Sequence, residues 1–177
     1  VEFRDTGTGP PSLMEVNGAA EWLLGDNIYR VEGAIRSKWF TASVKQMTYK
    51  PSYLALAYRG SHDYWENWTD ETPIDVSQLN GYLHYKNNVL SLSPGLTFTR
   101  LRNYIFYERL NSTEDSVQQV FPVRSAGNQI LASPEVKLAI TFFRHVTFSN
   151  HAIYTIFLEN ANHAIRVPEF FATSQLL

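Results

Sequence analysis

Along most of the chain, apolar positions alternate with polar ones or gather in short unbroken runs, which is the pattern of strands. The stretch Trp39 to Tyr49 (WFTASVKQMTY) has the β-rich composition and partial alternation of a strand. Tyr53 to Tyr58 (YLALAY) is apolar enough for a strand buried on both faces. Further strands are expected at 82–85, 89–92, 96–109, 117–123, 129–132, 136–148, 152–158, 163–167 and 170–176. Turn signals separate them: Asn80-Gly81, Asn87-Asn88, Ser93-Pro94-Gly95, Ala126-Gly127-Asn128 and Asn160-Ala161-Asn162. No internal repeat is visible, which disfavours a propeller or solenoid.

The first residues read differently. Residues 1–11 (VEFRDTGTGPP) read as an extended arm. Ser12 and Glu15 then fit a capping box, and Leu13, Val16, Ala20 and Leu23 follow at helical spacing before Gly25. One short helix over 13–24, weakened by Gly18, is the expectation. The whole predicts an all-β fold: a jelly-roll β-sandwich of two antiparallel sheets with one short peripheral N-terminal helix. Residues 12–177 would form a single β-sandwich domain.

The 177 residues suffice for one sizeable core without disulfides or metal. The net charge of −2 leaves no basic excess for phosphates, so DNA binding as the main task is excluded. With no cysteine, disulfide scaffolds, thiol nucleophiles and cysteine-ligated zinc are excluded too. No apolar run approaches the roughly 18–20 residues of a spanning helix, so no membrane span is expected in this fragment. A start at Val1 reads as a processed or trimmed fragment, from which a leader or membrane anchor could have been lost.

The search for chemistry returns little. His62, His84, His145, His151 and His163 form neither His-x-His nor His-Glu-x-x-His, so a metal is not expected. Ser61-His62-Asp63 are sequence neighbours, and a triad needs its members brought together in space. The acid pairs Asp70-Glu71 and Glu114-Asp115 sit among turn residues and read as solvated. No nucleotide fingerprint is present. A non-enzymatic protein without cofactor is the expectation.

Two sequons, Asn67-Trp68-Thr69 and Asn111-Ser112-Thr113, fall in expected loops and make Asn67 and Asn111 candidate glycosylation sites of an extracellular protein. The polar stretch 59–79 is the longest expected loop. It carries Tyr64, Trp65 and Trp68, aromatics that suit partner binding.

The run Lys50 to Ala57 (KPSYLALA), Trp68, Asn80-Gly81 and Asn88 to Leu96 (NVLSLSPGL) resembles the first half of the tumour necrosis factor homology domain. Ile153 to Leu158 and Phe170 to Leu177 resemble its last strands. The chain departs from that family at Thr97-Phe98-Thr99-Arg100, where paired tyrosines line the trimer axis. The resemblance implies a secreted or shed homotrimer engaging a protein receptor through its loops. Ala57-Tyr58-Arg59-Gly60-Ser61 and Asn103 to Tyr107 are similar to segments of picorna-like viral capsid jelly rolls, which implies a virion subunit packed on its neighbours. A carbohydrate-binding sandwich using Trp65 and Trp68 is a further reading.

Overall fold

The computed structural model describes residues 14–25, 28–61, 63–66, 71–110, 119–142 and 146–176. In chain order the elements begin with β1 (Met14–Leu23), β2 (Ile28–Ser37) and β3 (Phe40–Tyr49). A one-turn helix α1 (Tyr53–Leu56) and the short strands β4 (Ala57–Arg59) and β5 (Tyr64–Glu66) follow. Then come β6 (Ile74–Leu83), β7 (Tyr85–Lys86), β8 (Leu90–Arg102), β9 (Ile105–Leu110) and β10 (Gln119–Arg124). The chain continues through β11 (Gln129–Phe142), β12 (Val146–Tyr154), β13 (Ile156–Asn160), a 3-10 turn (Ala161–His163) and β14 (Phe170–Leu176).

The fold is all-β. One antiparallel sheet dominates, in the order β1-β2-β3-β6-β8-β11-β12-β14, with β7 paired to β8 and β13 to β11. The hairpins β4–β5 and β9–β10 lie within the connections as separate two-stranded ribbons. Each long strand pairs with the next long strand of the chain. That is an up-and-down meander, whereas a jelly roll needs Greek-key connections between two packed sheets. The expected sandwich is corrected accordingly: no second large sheet covers the first among the described residues.

The expected helix over 13–24 is also corrected. Residues 14–23 pair one for one with β2, from Met14 opposite Ser37 to Leu23 opposite Ile28. Met14, Val16, Ala20 and Trp22 alternate with Glu15, Asn17 and Glu21, so a period of two fits as well as the helical one. Cross-strand pairing then decides. Conversely, Tyr53 to Leu56, expected as strand, closes one helical turn through the Ala55 amide on the Ser52 carbonyl at 2.9 Å.

Several expected turns lie inside strands. Asn80-Gly81 is in mid-β6, and Ser93-Pro94-Gly95 is in mid-β8. Pro94 is tolerated because it stands where β8 changes partner, from β6 at Gly95 to β7 at Leu92. Pro134 stands at the same kind of gap in β11, between the β13 register ending at Ala132 and the β12 register starting at Glu135.

Among the described residues a conventional interior is nearly lacking. Ala55, Ala57, Ile74, Val76, Phe106 and Ala164 are the buried apolar residues, gathered toward one end of the sheet. Long apolar side chains elsewhere stand open: Val16, Leu79 and Leu96 are each more than half exposed.

Candidate functional site: the two faces of the strand wall

The register sorts every long strand into two faces, because side chains at i and i+2 share a side. On one face, Val16, Ile35, Ala42, Gly81, Leu96 and Pro134 lie in a single row across six strands. The adjacent row is Gly18, Gly33, Val44, Leu79, Phe98 and Ala132. Farther along, Leu92, Leu138, Ile140, Phe148 and Leu176 extend the same surface. Among the described residues, charge appears on this face only toward one end of the long strands, as Asp75, Arg100, Arg102 and, on β13, Glu159. Its polar pair Asn150 and Ser174 satisfies itself at 2.6 Å.

The opposite face is polar. One row reads Glu15, Arg36, Thr41, Tyr82, Gly95 and Glu135; the next reads Asn17, Ala34, Ser43, Asn80, Thr97 and Ser133. A third carries Glu32, Lys45, Gln78 and Thr99. These side chains bond sideways across strands: Asn80 donates to Ser43 at 3.3 Å, and Thr97 donates to Asn80 at 2.8 Å. The Arg30 guanidinium holds Glu32 at 2.9 Å along the same face.

The densest cluster is built on Glu135 of β11. Its carboxylate accepts from the Tyr82 hydroxyl two strands away and meets His151 Nε2 at 2.7 Å. Lys137 Nζ stands 3.9 Å from the same carboxylate and 4.7 Å from the Tyr82 ring centre. Tyr82 reaches across β8 only because Gly95 has no side chain; a Cβ there would collide with the ring and approach the Gly81 carbonyl at 3.1 Å. His84, stacked on Tyr82, bridges Thr41 at 2.9 Å and Ser93 at 3.2 Å. Sequence reasoning missed this cluster. Its members are far apart in the chain, and the signal was alternation of polar residues within β6, β8 and β11.

The two ends of the wall differ. Residues 38–39, 84–89 and 143–145 connect strands at one end. The connections at the other end are 24–27, 50–73, 103–128 and 155–169, mostly far longer. There the two ribbons lie within the connections. The Val120 amide donates to the Asp63 carboxylate at 3.0 Å, joining the two longest connections. Asn103, at positive φ, donates to the Pro73 carbonyl at 3.0 Å.

Two of the sequence-derived binding residues, Tyr64 and Trp65, belong to this end. Trp65 stacks on Tyr58 at 4.8 Å between ring centres, touches Tyr107 at 5.9 Å, and donates its indole N–H to the Leu54 carbonyl at 2.9 Å. It knits the two ribbons together. Tyr64 points outward, and its hydroxyl is held above the ordinary phenol range, first by its hydrogen bond with Glu66. Trp68, Asn67 and Asn111 lie outside the described residues. Among the described residues no group of His, Asp and Glu is arranged to hold a metal ion.

A profile of the family described as "Putative porin" (Porin_10) matches residues 7–177, nearly the whole chain. The chain belongs to this porin family. No curated protein matches it. Membership overturns the tumour necrosis factor and capsid resemblances, the carbohydrate-binding alternative, and with them the secreted and virion placements. Two of the short motifs behind those resemblances are parts of long strands here: Asn80-Gly81 belongs to β6, and Asn88 to Leu96 runs into β8. The helix-length criterion says nothing of a crossing made by strands. No helix of the described residues is long and apolar enough to cross, but a tilted transmembrane strand needs only about 9–11 residues.

Proposed function

We propose that this chain forms part of the wall of an outer-membrane β-barrel pore, with its apolar face in the hydrocarbon and its polar face along an aqueous lumen for small solutes. The segregation of the two faces carries the reading. Glu15, Glu21, Arg30, Arg36, Lys45, Glu135 and Lys137 share one side, while the other presents open Val, Leu, Ile and Phe over the length of a bilayer core. A water-soluble protein would not leave such a surface bare. The ten-residue strands β1, β2, β3 and β6 match what a tilted crossing needs.

The free edges of β1 and β14 have no strand partner among the described residues. An unpaired edge is untenable in hydrocarbon, where each unmet backbone group costs several kcal/mol. The proposal therefore includes further strands on both edges that close the wall into a barrel wider than these eight.

Reconstitution of the whole protein into planar bilayers tests the reading. Stepwise ionic current at constant voltage is expected. A protein that inserts without conducting, or that stays monodisperse in water without detergent, would sink it.

A further inference from the structure

On the polar face, four strands leave a concavity of about 540 Å³ beside the Glu135 cluster. Its floor is two adjacent rows. Ser93, Lys137, His151 and Thr173 form one, and Ser91, Ala139, Ser149 and Gln175 form the other. In the second row no side chain before Gln175 is larger than serine, which is why the surface sinks there. The volume lies in the range of small-molecule sites.

The ionisable groups that line this groove are both basic, Lys137 and His151. The nearest acid, Glu135, does not line it. That carboxylate is 9% exposed beneath the rim and already accepts from Tyr82 and faces His151, whereas half of the Lys137 side chain is open. Lys86 extends the second row on β7, paired with Ser91, and His84 extends the first through its contact with Ser93. The charge presented to the groove is positive, set among hydroxyl donors and backed by a shielded carboxylate.

We propose that this groove is an anion-binding station in the lumen wall, taking the carboxylate or phosphate group of a small solute. Lys137 supplies the charge, and the hydroxyls of Ser93, Ser149 and Thr173 supply directional donors. Lys86 raises the local anion concentration at the rim. This deepens the pore reading and rests on it for the solute's route.

Two readouts on the whole protein separate the claims. Titration calorimetry in detergent micelles, with inorganic phosphate and with succinate, reads the groove; bilayer current reads the pore. Both anions should bind and should reduce the current saturably, while glycerol does neither. Lys137→Gln should weaken binding about tenfold, the loss of one charge-assisted hydrogen bond. Ser149→Leu, which fills the floor and keeps the charge, should also weaken it. A conducting protein that binds neither anion, or a Lys137→Gln variant that binds as the parent does, overturns the station. Glycerol binding as tightly as phosphate overturns it too. Anion binding by a protein that never conducts leaves the groove standing and overturns the pore.

Discussion

Gly95 is the residue on which the polar face most depends. It sits between Tyr82 and Glu135 in one cross-strand row, and the tyrosine lies flat across the space its side chain would fill. A glycine inside a strand is a local weakness unless something covers it, and here an aromatic ring does so. Gly95→Ala should therefore lower unfolding stability by about 1–3 kcal/mol, the range for overpacking. Urea titration in detergent or lipid checks this, and Gly81→Ala provides the contrast. A Cβ at Gly81 meets nothing within 4 Å, so its substitution should be nearly silent. Neither role was legible in the sequence, where Asn80-Gly81 and Ser93-Pro94-Gly95 both read as turns. Turn chemistry is a statement about neighbours in the chain. The reason these residues stay extended is a strand partner that changes at Pro94 and a ring arriving from β6.

At the scale of elements, much of the secondary structure could be read and the faces could not. Trp39 to Tyr49 and residues 170–176 come out as strands almost as their alternation predicts. The segment 129–148 was divided at Ser133-Pro134, yet β11 runs unbroken from Gln129 to Phe142. β1 was mistaken for a helix because Val16, Ala20 and Leu23 satisfy a helical period too. The deeper error was to assume that apolar residues turn inward. Phe98 and Phe142 stand on the open face. Charge insertion tests which face meets lipid. Leu96→Arg should cost about 2–4 kcal/mol in a bilayer, the range for arginine near the midplane. Ser133→Arg, on the polar face of the neighbouring strand, should cost far less. Equilibrium unfolding from lipid vesicles measures both, and equal penalties would mean that the faces are wrongly assigned.

Within the ribbons, Trp65 was legible in the sequence as an important aromatic. Its ring stacks on Tyr58 and meets Tyr107 at a tilt, and its N–H donates to the Leu54 carbonyl, so it acts as a clasp between the two longest connections. Trp65→Ala should loosen the hairpin β4–β5 from β9–β10 without unfolding the sheet, because none of these strands pairs with it. Faster proteolysis within residues 50–73, with unchanged strand content by circular dichroism, is the expected outcome. Loss of strand signal would show instead that the clasp supports the wall.

At the scale of the whole molecule, the asymmetry of the connections gives the wall a direction. Transmembrane barrels of the outer membrane keep short turns on the periplasmic side and longer loops outside. The end with 38–39, 84–89 and 143–145 would then face the periplasm, and the end with 50–73 and 103–128 would face the exterior. These 177 residues hold no cysteine, so an introduced thiol is the sole one within them and the direction can be tested by labelling, with the parent protein as the background control. Tyr64→Cys lies on the ribbon of the long connection, and Trp39→Cys lies on the shortest turn; both parent side chains are about 60% exposed, at 60% and 62%. A maleimide that cannot cross the outer membrane should label Tyr64→Cys on intact cells at once. Trp39→Cys should react only after the membrane is permeabilised, and then equally well. The opposite order would invert the wall while leaving it in the membrane. Immediate labelling of both on intact cells would mean that the strands do not cross at all, and the two-faced sheet would then need another apolar partner to cover it.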